Sequence, residues 1–449
     1  MGDGSLTGAF APPFFMMKPS HYLKIFPLAE RNDRSLLFST KRCSLALPEK
    51  ETVAQLRQGT VPGSQAELLS RLGMAVEDPD AERADVHGML DELNRLHRNL
   101  QVSVILGMAC NFACVYCYEG SRKGPAAMSD DTGSQLVRYL ESRLTDTTQK
   151  LVLNFYGGET LLYRERIVFL AERLQPLIEA RGGTLEMRLI TNGSLLTPAI
   201  VEQLLPLGLT SAKICIDGPP DNHNQFRPFK DGRPSFDTVL ANVLACCDLL
   251  PLNLVGNYTR DNYQRFPELL DLYLAAGITP ERVRQVQFYP AMQVNDQYAN
   301  PEFTSGCCSV AEPWLIEASL FLREELGRRG FPLAKMTPTP CMVDIDDAFA
   351  VNYDGSLYKC ITMVGNPEYA CGDIRQGMTD HRQRYAAAHW QGNVDCHDCE
   401  YLPLCFGGCR YMAFQRDGHM GNVDCQKEYL DATLAAMLRQ ELKYRYGQG

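Results

Sequence analysis

From about residue 101 the hydrophobic pattern settles into a repeat. Short apolar runs at 102–106, 151–155, 185–190, 212–216, 252–257 and 283–288 alternate with longer stretches of helical period. Ser129 is placed to cap one of these helices, and Thr197-Pro198 opens another with a cap followed by proline. Six strand–helix alternations predict an α/β fold. Its parallel sheet should have right-handed crossovers and form a barrel or partial barrel of the (β/α)6 kind. In such folds the chemistry gathers at the C-terminal ends of the strands. Functional motifs should therefore follow each apolar run directly.

The flanks read differently. Residues 20–95 suggest a small α/β unit. It has two short strands at 36–40 and 44–47 around Lys41-Arg42, and amphipathic helices at 51–58 and 64–72. Ser64 with Glu67 three residues on is a capping-box pattern. A charged helix at 80–97 leads into the repeat. Residues 310–330 predict one more helix. Beyond Pro338 and Pro340 the chain is rich in loops and cysteine until a closing helix at 426–446. The resulting division is 1–98, 99–308 and 309–449.

Composition narrows the function. The chain has 449 residues, 45% of them hydrophobic, which suits about three globular domains. A net charge of -10 argues against a basic field for nucleic acid. No apolar stretch approaches the ~20 residues that span a bilayer. The apolar patch at 10–17 is broken by Pro12 and Pro13 and lacks the basic stretch of an export signal. These features point to the cytoplasm, with neither a membrane nor a nucleic-acid partner. Seventeen cysteines in such a chain read as reduced thiols serving metals, not as a disulfide scaffold. Ten fall into two spaced arrays. The other seven are Cys43, Cys215, Cys246, Cys247, Cys307, Cys308 and Cys371, several of them in apolar runs that suit core packing.

The first array follows the first strand as Cys110-Asn111-Phe112-Ala113-Cys114-Val115-Tyr116-Cys117. Three thiolates on one tight loop can hold three irons of a 4Fe–4S cluster and leave the fourth open to a small chelating ligand. The competing reading is a zinc loop, but zinc takes four ligands and this loop offers no fourth Cys or His. The spacing CxxxCxxC with an aromatic residue before the last cysteine, here Tyr116, resembles the radical S-adenosylmethionine (SAM) superfamily. That resemblance implies a SAM-chelating 4Fe–4S cluster on Cys110, Cys114 and Cys117. One electron then splits SAM to a 5′-deoxyadenosyl radical.

The later strand ends carry further motifs of the same resemblance. Gly157-Gly158-Glu159 follows the second run; in the family this segment meets the methionine ammonium of SAM. Thr191 and Asn192 follow the third, where polar contacts to SAM are implied. Tyr116, Gly157, Gly158, Glu159, Thr191 and Asn192 are thus the expected cofactor contacts. Asp217-Gly218-Pro219 follows the fourth run, with His223 and Arg227 close behind. Asp217 is the candidate catalytic residue, facing substrate or SAM; a structural Asx-turn is the alternative. His223 is expected to be structural.

The second array is Cys341, then Gly355 and Cys360, then Cys396-x2-Cys399-x5-Cys405-x3-Cys409, then Cys425. CxxC pairs also suit zinc. The whole pattern resembles the seven-cysteine SPASM extension of radical SAM proteins, which holds two auxiliary 4Fe–4S clusters. The resemblance assigns Cys341, Cys360 and Cys409 to the first. It assigns Cys396, Cys399, Cys405 and Cys425 to the second. Some members complete the first cluster with a cysteine six residues before Cys341, where this chain has Lys335. Two possibilities follow: an open iron able to take a substrate thiolate, or closure by Cys307, Cys308 or Cys371.

A small sheet before such a core is similar to the winged-helix-like domain that grips the leader of a ribosomal precursor peptide by strand addition. His21-Tyr22-Leu23-Lys24, the Leu-Leu-Phe-Ser-Thr strand and the Cys-Tyr-Glu-Gly loop resemble the geopeptide-type maturases. The resemblance implies three 4Fe–4S clusters, SAM, a leader-bound precursor peptide and an external electron donor such as a flavodoxin or ferredoxin. The expected reaction is a cysteine thioether crosslink. Its rivals are a carbon–carbon crosslink, or Ser/Cys dehydrogenation of a protein as in sulfatase maturation. The dehydrogenating maturases carry an Asp after the second SPASM cysteine, where this chain has Ile361. A zinc-bearing interaction protein without catalysis is the rival from another class.

Overall fold

The computed structural model describes residues 17–28, 32–117, 119–291 and 312–447. The patch at 10–16 and the thiols Cys307 and Cys308 lie outside them. The described chain forms two compact units. One comprises residues up to 92, 336–340 and 390–406; the other comprises 93–335, 341–389 and 407 onward.

In the first unit, β1 (Lys18–Pro19) pairs antiparallel with β5 (Ala75–Val76). A meander joins β2 (Leu23–Pro27), β3 (Ser35–Ser39) and β4 (Ser44–Ala46), with β3 central and wholly buried. The strand β2 was not expected from the sequence, because Lys24 and Pro27 break its apolar run. Helices Lys50–Gln58 and Gly63–Arg71 bury Val53, Leu56, Ala66 and Leu69 against Leu37. The expected capping box is absent: Pro62 is the N-cap, and Ser64 lies inside the helix. The expected charged helix is broken at Gly88 into Pro79–His87 and Met89–Leu96.

The second unit is built on an eight-stranded sheet. Its strands are β6 (Asn99–Ile105), β7 (Lys150–Tyr156), β8 (Thr184–Thr191), β9 (Leu209–Cys215), β10 (Leu252–Tyr258) and β11 (Gln285–Pro290), then β12 (Ala348–Val351) and β13 (Leu357–Tyr358). The first six are parallel and adjacent in chain order, as expected. Their apolar residues are almost all fully buried, as a sheet covered on both faces requires. Ser129 caps the helix Asp130–Arg143 by accepting from the Thr132 N–H at 3.0 Å. The cysteine-rich third also feeds this sheet. The strand β12 lies parallel to β6, with Val102 opposite Phe349, and β13 turns back antiparallel. A four-residue and a two-residue strand among turn residues give too little period-2 pattern to be read from sequence. The closing helix Lys427–Tyr446 packs on Pro313–Arg328.

Candidate active site

The cysteine loop leaves the C-terminal end of β6, where the strand-end rule puts it. Cys110, Cys114 and Cys117 line one open cavity of about 480 Å³, together with Lys123 and Lys230. The loop is pinned to a neighbouring segment by backbone bonds: Ala113 N to Pro228 O, Val115 N to Phe226 O, and Lys230 N to Asn111 O. Phe112 donates its N–H to Cys110 Sγ at 3.4 Å, and Asn192 Nδ2 lies 3.9 Å from the same sulfur. Burial pushes the Cys110 thiol up to about 11. Burial alone would lower Lys123, but the charges of Cys117, Cys114 and Cys110 raise it. This lysine is the natural counter-charge to a thiolate set, and the sequence reading missed it. Three soft sulfur donors around a cavity of this size fit an iron–sulfur cluster with one open iron. Among the described residues no three His, Cys, Asp or Glu side chains close on a single-ion site.

The end of β7 presses on this loop. Gly158 N donates to Gly107 O at 3.2 Å, and Glu159 N to Ala109 O at 2.8 Å. A Cβ on Gly158 would stand 2.1 Å from Ala109 O, and one on Gly157 would stand 2.7 Å from Gly107 O. Only glycine allows this approach. The Glu159 carboxylate is fully buried. It accepts from Leu161 N at 3.0 Å, Thr191 Oγ1 at 2.6 Å and Asn192 N at 2.8 Å. Burial raises its pKa and these three donors oppose that. Its oxygens thus tie the end of β7 to the end of β8. Asn192 extends the tie by donating to Asn111 Oδ1 at 2.7 Å, on the cysteine loop.

A second polar cluster joins Tyr116 to the ends of β9 and β10. The Tyr116 hydroxyl donates to Asp217 Oδ2, and accepts from Arg227 Nη1 at 2.7 Å and Asn257 Nδ2 at 3.1 Å. Asn257 N donates to Asp217 Oδ1 at 2.8 Å. Arg227 Nη1 is 3.8 Å from Asp217 Oδ2, and both side chains are buried. Burial raises the Asp217 pKa, against the pull of the Arg227 charge. Asn257 was not anticipated; its place at the end of the fifth parallel strand was the available clue. His223 accepts from Asp217 N at 3.1 Å through Nδ1 and meets Ser235 Oγ at 3.0 Å through Nε2. Ser235 Oγ already donates to Arg227 O, so the His223 ring is the neutral Nε2–H tautomer. Burial, then the Arg227 charge, lowers its pKa to about 3, which suits a structural role.

The same unit brings Cys341, Cys360 and Cys409 within electrostatic range of one another. Each sits at the N-cap of a helical turn: Met342–Asp344, Ile361–Met363 and Arg410–Asp417. Backbone N–H groups of Thr362 and Met363 face the Cys360 sulfur, and those of Tyr411 and Met412 face Cys409. Such N–H groups stabilise thiolates. Arg410 forms a buried pair with Asp344 at 2.7 Å beside Cys409. Arg122, just past the first cysteine loop, donates to Val364 O beside the Cys360 turn. Lys335 is exposed. Cys371 is buried, and its thiol donates to Leu357 O at 3.2 Å. Cys409 N donates to Asp424 Oδ2 at 3.2 Å, next to Cys425. Cys396, Cys399 and Cys405 belong to the first unit.

Comparison with known proteins agrees with this geometry. Residues 104–273 match the radical SAM superfamily. The chain is 26% identical over 373 residues to a serine-type anaerobic sulfatase-maturating enzyme of Bacteroides thetaiotaomicron, covering 72% of this chain and 86% of that one. It is 24% identical over 335 residues to the PqqA peptide cyclase of Granulibacter bethesdensis, covering 70% and 83%. In fold it resembles anSMEcpe with bound AdoMet and Kp18Cys peptide (TM-score 0.57, 18% identity, 78% and 98% covered). It also resembles SuiB of Streptococcus suis (TM-score 0.54, 14% identity, 91% and 100% covered). Among the described residues no helix is long and apolar enough to cross a membrane. Residues 104–273, whose parallel sheet delivers Cys110, Cys114 and Cys117 to one cavity, are therefore a radical SAM domain.

Proposed function

We propose that this protein is a radical SAM peptide maturase that links a cysteine of a ribosomally made precursor peptide to an acceptor carbon through a thioether. The observation that carries the reading is the gathering of three thiols, Cys341, Cys360 and Cys409, in the unit that holds the Cys110–Cys117 loop. Three thiols leave one iron of an auxiliary cluster for a substrate thiolate, a soft ligand that iron–sulfur iron accepts. The exposed Lys335 and the carbonyl-bound Cys371 favour that open iron. Cys396, Cys399 and Cys405 would serve a further cluster, three in all. The names of the relatives, a sulfatase-maturating enzyme and a peptide cyclase, favour a peptide or protein substrate.

Cys110, Cys114 and Cys117 would hold the cluster that, with SAM, supplies the hydrogen-atom acceptor, and a cluster held at Cys341, Cys360 and Cys409 could accept the surplus electron. The chain's own part is placement. The Gly157 and Gly158 backbone and Thr191–Asn192 would orient SAM, held in register by Glu159. Asp217, Arg227 and Asn257 fix the Tyr116 ring beside the cavity. The edge strands β2 and β4 of the first unit's sheet suit strand addition by a leader. The net change replaces one C–H and one S–H by a C–S bond, a loss of two hydrogens per crosslink. An external flavodoxin or ferredoxin in the cytoplasm would supply electrons.

The test is anaerobic co-expression with a neighbouring cysteine-containing peptide, thiol alkylation under reducing conditions, and mass spectrometry. Each loss of two hydrogens should remove one alkylatable cysteine. Hydrogen loss with every cysteine still alkylated overturns the thioether reading. Replacing Cys110, Cys114 and Cys117 by Ala should abolish SAM cleavage and leave iron elsewhere. A second reading, dehydrogenation of a Ser or Cys in a protein, is favoured by the sulfatase-maturase match. It predicts an aldehyde product, which a hydrazide probe captures and a thioether does not yield.

A further inference from the structure

The first unit contains a buried hydroxyl with no acceptor. Tyr22 is fully buried, and its OH has no hydrogen-bond partner. A buried unsatisfied donor costs about 1–3 kcal/mol, so an acceptor is to be expected in the loaded protein. Its surroundings show which one. The residues on either side of Cys399 are tied to the segment that carries Tyr22. His21 Nε2 lies 3.1 Å from Asp398 O. Lys24 Nζ lies 3.0 Å from Glu400 Oε1. Thr40 Oγ1 donates to Glu400 O, while Thr40 N donates to Tyr22 O at 2.9 Å. Arg83 pairs with the Asp398 carboxylate at 2.7 Å. These bonds clamp the peptide before and after Cys399, and Cys399 lies within electrostatic range of the phenol.

We propose that the Tyr22 hydroxyl donates a hydrogen bond to sulfur of the cluster held at Cys399, so that the N-terminal sheet tunes that cluster's reduction potential. The inference rests on the reading of Cys399 as a cluster ligand. Tyr22 is then a tuning residue one position before β2, a strand proposed to receive the leader. A hydrogen bond to thiolate or sulfide favours the more negative, reduced state and raises the potential. Any leader-induced shift of β2 would reach the cluster through the His21–Lys24 segment.

The test uses the full chain, reconstituted anaerobically with iron and sulfide, in the background in which Cys110, Cys114 and Cys117 are Ala. This background should hold about eight irons, two 4Fe–4S clusters. Far less iron overturns the cluster reading and the inference with it. With iron intact, Tyr22→Phe should shift the reduction equilibrium of one cluster about tenfold toward the oxidised form, about 59 mV for a one-electron couple. The other cluster should not move. No shift at unchanged iron overturns the hydrogen bond and leaves the cluster reading standing. A second measurement needs no substitution: pulsed EPR of Tyr22-containing protein reconstituted in H2O or D2O. A strongly coupled exchangeable proton at one of the two clusters is expected. Its absence overturns the proposal even if Tyr22→Phe fails to load.

Discussion

Gly158→Ala tests how tightly β7 holds the cysteine loop. The new methyl group would stand 2.1 Å from Ala109 O and 2.6 Å from Ala109 C. Both are backbone atoms of the residue before Cys110, and no side-chain rotation relieves the clash. Glu159 N is bonded to the same oxygen at 2.8 Å, so the strand end cannot simply swing away. Reaching an ordinary contact requires a displacement of about 1 Å, passed directly to Cys110. Overpacking of this kind costs about 1–3 kcal/mol. A 1 Å misplacement at a reacting centre costs about 100-fold in rate. Anaerobic SAM cleavage by the Gly158→Ala protein should therefore fall by about two orders of magnitude, with less iron at the first array and the rest retained. Gly392→Ala is the control, because its methyl group meets nothing within 4 Å. A Gly158→Ala protein that cleaves SAM within twofold of the unsubstituted chain would refute the argument.

Removing the Tyr116 hydroxyl in Tyr116→Phe takes one acceptor from Arg227 and Asn257 and one donor from the buried Asp217, and should cost about 1–3 kcal/mol in chemical denaturation; a loss under about 0.5 kcal/mol would mean that the cluster repacks. Arg410→Met strands the buried Asp344 charge and should cost about 3–5 kcal/mol, with iron lost beside Cys409; full iron and unchanged stability would contradict it. His223 gives a pH dependence of defined sign. Its folded pKa is lowered to about 3, while the unfolded chain titrates near 6.5. Below pH 6.5 the unfolded state takes up a proton that the folded state refuses, so stability falls as pH drops through that window. From pH 7 to 5.5 the loss is about 1.2 kcal/mol. Paired urea titrations should show that slope shrink by this amount in His223→Asn, and equal slopes would exclude the assignment.

The six parallel strands and the placing of the motifs after them were legible, because buried strands read as apolar runs and the rule on strand ends needs only chain order. Spacing in the sequence also singled out the thiols that line the cavity. What spacing cannot convey is where a side chain spends its hydrogen bonds. Sequence marks Glu159 as a cofactor contact, but it cannot show that both its oxygens accept from Leu161, Thr191 and Asn192 and so brace the ends of β7 and β8. Lys123 and Asn257 are single polar residues without a motif, and only the folding of distant strand ends brings them to the site. The strand β2 was missed because a lysine and a proline interrupt it, and β12 because four residues carry almost no period. In both cases tertiary pairing overrides weak local pattern.

The pairing of β6 with β12 has a consequence for biosynthesis. The strand that launches the first cysteine loop receives its outer neighbour only after about 240 further residues have been made. At roughly 5–20 residues per second, that leaves one sheet edge bare for about 12–50 s on the ribosome. An unpaired edge strand of this kind templates aggregation. Release before residue 351 should therefore give insoluble chains, and iron insertion at Cys110–Cys117 that precedes β12 would act on a sheet not yet closed on that side.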